Sequence, residues 1–305
     1  MADLKTELCG VELRNPTILA SGVLGTFPSS LKRAADMGAG AVTIKSIGSE
    51  KREGHKNPTM VEVEGGYLNA IGLSTPPLNE TLEEIREYKK ISKTPMIASF
   101  YATVAGDFSK VTEKIAAAGP DLLEVNISCP NVQDEFGTPF SCDPKKSAKI
   151  VKSIKKATGI PLLVKLSPNV PSIAQIAKAV ERAGADGITA INTVGPGMVI
   201  DLKTRAPVLA NKRGGMSGPA IKPIMVRCVY DIFEVVDIPI VATGGIMTGE
   251  DAAEAIMAGA RAVGIGTAIG QRGVDIFKKI TKELDTFMNK EGYRNLDQMR
   301  GVAHG

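Results

Sequence analysis

Short apolar runs recur along the chain, each closed by small or polar residues and followed by a stretch with helical spacing. Eight of them read as strands: Pro16–Ala20, Ala41–Ser46, Pro95–Phe100, Leu122–Ser128, Pro161–Ser167, Gly187–Thr193, Pro239–Thr243 and Ala262–Thr267. Between them lie helical patterns such as Ser172–Ala183 (SIAQIAKAVERA) and Gly249–Ala258 (GEDAAEAIMA). Thr248, with Asp251 three residues on, predicts a cap for the second of these. Strand–helix alternation repeated eight times predicts an α/β fold, a closed parallel (β/α)8 TIM barrel. An open doubly wound sheet is the alternative, but it more often shows fewer strands and a glycine fingerprint after the first. The chain of 305 residues, 43% of them hydrophobic, suffices for such a barrel, which commonly takes about 250 residues as one unit. With no linker, low-complexity stretch or repeat beyond the βα unit, residues 1–305 are expected to form a single domain.

Two strand-to-strand intervals, roughly Ile47 to Thr94 and Val194 to Ile238, are about twice as long as a compact βα unit requires. Extra material between a strand and its helix emerges at the C-terminal face of a barrel, where ligands bind. The first excursion contains Gly65–Leu73 (GGYLNAIGL) and the second Gly214–Pro219 (GGMSGP). A shorter insertion from Cys129 to about Asp143 carries Phe136-Gly137-Thr138 and suits a mobile lid.

Alternation along a strand assigns side chains to faces. In Leu162–Ser167 the set Leu162, Val164 and Leu166 is apolar and suits the outer helices, so Lys165 points inward with Leu163 and Ser167. The same parity turns Glu124, Asn126 and Ser128 inward. Lys45 and Asn192 stand near the ends of their own strands. An ammonium in a dry interior costs several kcal/mol unless it meets a counter-charge. A Lys165–Glu124 pair that merely fills the barrel is one answer. An anionic ligand across the mouth is the other, and the gathering of Lys45, Lys165, Asn69, Asn126 and Asn192 at strand ends and in the excursions favours it.

Other features narrow the chemistry. The segment Asn126–Asn131 (NISCPN) places two amides, a hydroxyl and a thiol where a strand becomes a loop. Such a site orients a small polar ring and removes a proton from it; the structural alternative is that Cys129 is a buried small hydrophobe. Thr243-Gly244-Gly245 and Gly264-Ile265-Gly266-Thr267 end the last two strands, where barrels often close backbone N–H groups on a phosphate. An anchored phosphate, a cationic centre and a proton-removing thiol are together met by a flavin mononucleotide (FMN) beneath a carboxylated substrate.

Composition excludes other classes. Aromatic residues make up 4% and Trp is absent, and the formal charge of +4 is spread out, so no base-stacking or basic nucleic-acid surface is expected. The four cysteines lie far apart without a CxxC pair, so neither a disulfide framework nor a metal cage is expected. The charged start MADLKTELCG and the lack of a long apolar run predict a soluble cytoplasmic protein with no membrane association.

With these residues in view, the chain resembles the dihydroorotate dehydrogenases, most closely the catalytic subunits of class 1B. The likeness covers nearly the whole chain. It rests on ASG (Ala20–Gly22), TIKSIG (Thr43–Gly48), NAIGL (Asn69–Leu73), NISCPNV (Asn126–Val132), VKLSPNV (Val164–Val170), INT (Ile191–Thr193), DLKTRAPVLAN (Asp201–Asn211), GGMSGPAIKP (Gly214–Pro223), GGI (Gly244–Ile246) and GTA (Gly266–Ala268). The resemblance implies oxidation of dihydroorotate to orotate in pyrimidine synthesis, with FMN taking the C6 hydride and Cys129 removing the C5 proton. Lys45, Asn69, Asn126, Asn192 and Thr193, with the wall Ala70, Ile71, Gly72 and Leu73, match the substrate-holding set. Ser21, Lys45, Ser46, Ser99, Asn126, Lys165, Ile191, Gly218, Gly244, Gly245, Gly266 and Thr267 match the FMN contacts. A homodimeric core is implied, together with an electron-transfer subunit carrying FAD and a 2Fe–2S cluster, with NAD as final acceptor.

The chain departs from the family at Ser74-Thr75-Pro76-Pro77, where an Asn-Pro pair is usual, and at Gly195–Met198. At the end of the third strand, the flavin-contacting asparagine of bacterial relatives is replaced by Ser99 or Thr103; Ser99 is the expected position. Three other readings compete: a dihydropyrimidine dehydrogenase-like FMN barrel acting on an uncharged ring, an FMN-free barrel lyase or isomerase of phosphorylated substrates, and a scaffold that has lost its chemistry.

Overall fold

In the computed structural model, which describes residues 2–127 and 142–305, each of the eight apolar runs is a strand, one to three residues shorter than its pattern. We label them β1 (Thr17–Leu19), β2 (Ala41–Thr43), β3 (Met96–Phe100), β4 (Leu122–Asn126), β5 (Leu162–Leu166), β6 (Gly187–Ala190), β7 (Ile240–Thr243) and β8 (Ala262–Ile265). They pair in parallel and in chain order, and β8 closes on β1. Burial on both faces is why these strands read as continuous apolar runs rather than as alternation.

Among the described residues, one α-helix follows each of the first seven strands: α1 (Pro28–Asp36), α2 (Leu78–Ile91), α3 (Phe108–Ala116), α4 (Pro144–Ala157), α5 (Ile173–Arg182), α6 (Lys222–Phe233) and α7 (Gly249–Met257). Three more, α8 (Thr267–Arg272), α9 (Ile276–Glu291) and α10 (Leu296–Met299), follow β8. Their starts obey local chemistry. Ser172 accepts from the Gln175 amide at the head of α5. Thr248 and Asp251 form the reciprocal cap of α7 that their spacing predicts.

Inside the barrel the chain separates two zones. The lower zone is apolar: Ile18, Ala41, Ile97, Leu122, Leu163, Val241 and Ala262 form one cluster. Leu8 and Leu13 complete it from an antiparallel hairpin, Thr6–Leu8 with Val11–Leu13, which plugs that end. The hairpin escapes sequence reading because three residues per strand carry too little periodicity. Outside, Leu123, Val125, Leu162, Val164 and Leu166 pack against the helices, as parity predicts.

The two long excursions meet over the opposite end. Val194–Gly197, Gly214–Ser217, Gly66–Asn69 and Met60–Val63 form, in that order, a four-stranded antiparallel sheet. They approach so closely that a Cβ on Gly66 would lie 1.8 Å from the Ser217 carbonyl oxygen. Only glycine fits that crossing.

Candidate functional site

The upper zone of the barrel interior is polar, and the register of its strands determines which groups meet. Asn126 on β4 and Thr189 on β6 both stand opposite Lys165 on β5. Lys165 is only 7% exposed, and among the described residues it has neither an ion pair nor a hydrogen bond. The counter-charge considered for it, Glu124, is occupied elsewhere. Ser99 Oγ donates to one carboxylate oxygen of Glu124 at 2.9 Å, and Thr189 Oγ1 donates to the other at 2.8 Å. A Lys165–Glu124 pair that fills the barrel is therefore not what forms.

The hydroxyls continue outward. Ser46 and Ser99 are 2.8 Å apart through their Oγ atoms, and Asn126 Nδ2 donates to Ser46 at 3.3 Å. Ser21 Oγ donates to the Ile44 carbonyl at 3.0 Å and lies 3.3 Å from Ser46 Oγ. Ser21, Ser46, Ser99, Asn126 and Lys165, nominated from five different strands or strand ends, thus meet at one place. Ser21, Glu124, Lys165, Thr189, Thr243 and Gly264 line the cavity between them.

Lys45, two residues past β2, donates to the Ser74 carbonyl. Burial holds its ammonium below the ordinary lysine value of 10.5. The segment that departs from the family pattern at Ser74 is thus in direct contact with a nominated substrate residue. Asn69 ends its excursion strand, and its Nδ2 donates to the Gly215 carbonyl at 3.5 Å. The wall that follows is pinned along its backbone: the Ala70 amide donates to Thr59 and the His55 amide to Ile71, while Tyr101 Oη donates to Leu73. Leu73, a non-glycine residue at φ +56°, holds a left-handed conformation there next to Gly72. Strain of this kind persists only where the surroundings fix it, and it clusters at binding sites.

At the far side, Asn192 Oδ1 accepts from the Thr193 amide at 2.8 Å. Asn169 clamps the same turn, donating to the Thr193 carbonyl at 3.1 Å and accepting from Gly195 at 3.0 Å. Sequence reading placed Asn169 within a motif but gave it no role. Ile191 follows β6, buried against Gly244.

The predicted phosphate end is built by three loops. Gly244 and Gly245 follow β7, and a Cβ on Gly245 (φ +75°) would lie 2.7 Å from Lys222 Cβ. Gly218, in the second excursion, lies beside Thr267, whose Oγ1 donates to Ser217 Oγ at 3.1 Å; Gly266 directly precedes α8. Asp251 braces the loop after β7, accepting from the Met247 and Thr248 amides at 2.9 and 2.8 Å and from Lys222 Nζ at 2.8 Å. Burial pushes the Asp251 carboxyl up, but these donors outweigh it and hold it below the usual carboxylate range.

Cys129 lies outside the described residues, as do Ser128 and the Phe136-Gly137-Thr138 stretch; Asn126, three residues before Cys129, ends β4 at the mouth. The described groups can take an electron-rich or anionic planar molecule. They offer a buried cation that makes no ion pair among the described residues, amides that both donate and accept, and glycine turns open to close approach.

Comparison with known proteins points the same way. The family profile described as dihydroorotate dehydrogenase matches residues 3–288. Three relatives are each called "Dihydroorotate dehydrogenase B (NAD(+)), catalytic subunit". That of Methanocaldococcus jannaschii is 48% identical over 304 residues, covering 99% of this chain and 98% of that protein. That of Methanothermobacter thermautotrophicus is 46% identical over 301 residues, with the same coverage. That of Pyrococcus abyssi is 41% identical over 300 residues, covering 98% of this chain and 99% of the relative. Profile and relatives alike run through the motifs that meet at the mouth of the barrel, and this chain belongs to the dihydroorotate dehydrogenase family.

Proposed function

We propose that the chain is the catalytic subunit of an NAD-linked dihydroorotate dehydrogenase, oxidising dihydroorotate to orotate with FMN held at the mouth of the barrel. The observation that carries this reading is Lys165, buried among polar neighbours with neither an ion pair nor a hydrogen bond among the described residues. A lysine so placed is costly to the empty protein and stabilising beside a group that becomes anionic. FMN fits that requirement and, when bound, would supply a two-electron acceptor for the hydride leaving C6 of the substrate.

The chain's own residues do the rest. Lys45 binds the substrate carboxylate, and Asn69, Asn126, Asn192 and Thr193 orient the ring amides. The backbone of Ala70, Ile71, Gly72 and Leu73 keeps water from that side. Cys129 takes the C5 proton; with an ordinary thiol titrating near ~8.5, turnover rises with pH through its ionisation. Ser21, Ser46, Ser99, Ile191 and Lys165 line the cofactor's ring. Gly218, Gly244, Gly245, Gly266 and Thr267 take its phosphate.

In this reading residues 1–305 work as one unit in the cytoplasm, in a homodimeric core. That core would pass electrons to a separate subunit with FAD and a 2Fe–2S cluster, and from there to NAD. Among the described residues no helix is long and apolar enough to cross a membrane. The test is direct. Purified protein should carry flavin absorbance that bleaches on anaerobic mixing with dihydroorotate. A colourless chain that takes up no FMN would overturn the proposal.

A further inference from the structure

One buried charge has no part in the chemistry above. Glu124 is 4% exposed, points into the barrel one layer below Asn126 and lines the same cavity as Lys165. A carboxylate only accepts hydrogen bonds, and both its oxygens are taken by hydroxyls. That fixes the direction of the whole chain of contacts. Ser99 spends its single proton on Glu124, so in the 2.8 Å contact with Ser46 it is Ser46 that donates. Ser46 is then left to accept, and Asn126 Nδ2 donates to it. Ser21 cannot reverse this order, because its own proton goes to the Ile44 carbonyl. Every link from Asn126 through Ser46 and Ser99 therefore points at Glu124.

We propose that Glu124 is a positioning residue, setting the direction of hydrogen bonding from Asn126 through Ser46 and Ser99 and placing a negative charge beneath Lys165. This rests on the flavin reading above. Burying a carboxylate costs several kcal/mol, and a chain of aligned hydroxyl dipoles ending on it is one arrangement that offsets the cost. The same alignment fixes which atom of the Asn126 amide is used inward. The charge also opposes extra negative charge in the cavity, so its removal favours the reduced form of an electron acceptor bound there.

The full-length protein loaded with FMN tests this without reference to turnover. Glu124→Gln keeps the shape and removes the charge. At a fixed potential the ratio of reduced to oxidised flavin should rise about tenfold, which for a two-electron couple is a shift of about +30 mV. Glu124→Asp, which retains the charge, should return the midpoint to the wild-type value. Ser99→Ala cuts the relay but leaves the carboxylate. It should weaken FMN binding about tenfold by fluorescence titration with the midpoint unchanged. An FMN-loaded Glu124→Gln protein with the wild-type midpoint would overturn the proposal, as would Ser99→Ala with wild-type FMN affinity. If Glu124→Gln does not fold, Glu124→Met, which removes the charge and leaves no buried polar group at that position to satisfy, should show the same tenfold rise, and a wild-type midpoint there would overturn the proposal. Wild-type protein that binds no FMN would refute the flavin reading itself, a different result from variants indistinguishable from a loaded wild type.

Discussion

The two ends of the barrel interior are built by the same eight strands and yet differ in kind. Toward the N-terminal ends, the inward positions are Ile18, Ala41, Ile97, Leu122, Leu163, Val241 and Ala262, sealed by Leu8 and Leu13. One layer up, inward positions on β3 to β6 carry Ser99, Glu124, Asn126, Lys165 and Thr189. A single strand passes from one regime to the other within two residues, Leu122 to Glu124 on β4 and Leu163 to Lys165 on β5. The lower layer gains stability by removing apolar area from water, and the upper layer gives some of it back by burying a lysine and a carboxylate. Stability and chemistry are thus separated along the barrel axis, and substitutions at the two ends should fail in different ways.

The largest effect is expected from the thiol proposed to remove the substrate proton. Cys129→Ala should leave FMN-loaded protein with an unchanged melting temperature. Steady-state turnover at neutral pH should fall by about 10²- to 10⁴-fold, the range for a lost general base. Full activity in that variant would remove Cys129 from the reaction.

Lys165→Met sharpens the contrast because its two effects have opposite signs. Turnover should drop by about 10²-fold or more, as the stabilising cation is lost. The FMN-free protein should become more stable, by on the order of 1 kcal/mol, because an ammonium without a partner among the described residues is replaced by an apolar chain of similar length. Denaturant midpoints of the two apo proteins measure this. A less stable variant would mean that Lys165 is structural.

The opposite end should behave in reverse. Leu13→Ala removes a side chain that is 1% exposed in the plug, and should cost about 2–5 kcal/mol in denaturant unfolding. The KM for dihydroorotate and the flavin midpoint should stay put. A shifted KM would show that the two layers are coupled.

How much of this could be read from the sequence follows from the same division. The eight strands were legible because each is buried on both faces and reads as an unbroken apolar run, and the inward side of β4 and β5 because parity survives in five-residue strands. The cap of α7 was legible because Thr248 and Asp251 interact across three residues of chain. The plug was not, since Leu8 and Leu13 gain their meaning only against strands far along the sequence. Nor was the antiparallel sheet over the mouth: it pairs Leu68 with Met216, and Gly-rich strands have little propensity to announce themselves. In the candidate site, residue types at strand ends could be named in advance, but their partners could not. A Glu124–Lys165 pair was only the less favoured of two readings; that hydroxyls on β3 and β6 hold Glu124 depends on barrel register, which the sequence does not state. The clamp formed by Asn169 was hidden for the same reason.

The smallest expected effect again contrasts the two ends, now through pH. In the lower region Cys9 Sγ donates to the Asp186 carbonyl at 3.2 Å. Burial first, and the Asp186 charge second, push its thiol from 9.0 up to about 12. Between those values the folded chain keeps a proton that the unfolded chain releases, so stability falls as pH rises through the window and is unaffected below it. Lys45 at the mouth acts with the opposite sign: burial lowers its value from 10.5, so just below 10.5 the unfolded chain holds the extra proton and stability rises with pH. Tyr88, pushed from 10.0 to about 12 mainly by burial, adds to the fall. The wild-type profile therefore mixes slopes of both signs, and only a difference isolates Cys9. Cys9→Ser puts a non-titrating hydroxyl in the same place. Its urea midpoint should drop less than that of the wild type between about pH 8 and about pH 10.5, with both proteins parallel below pH ~8. If the two midpoints fall together across the alkaline range, the Cys9 thiol ionises as readily in the folded chain as in the unfolded one, and the lower end of the barrel contributes nothing to the alkaline response.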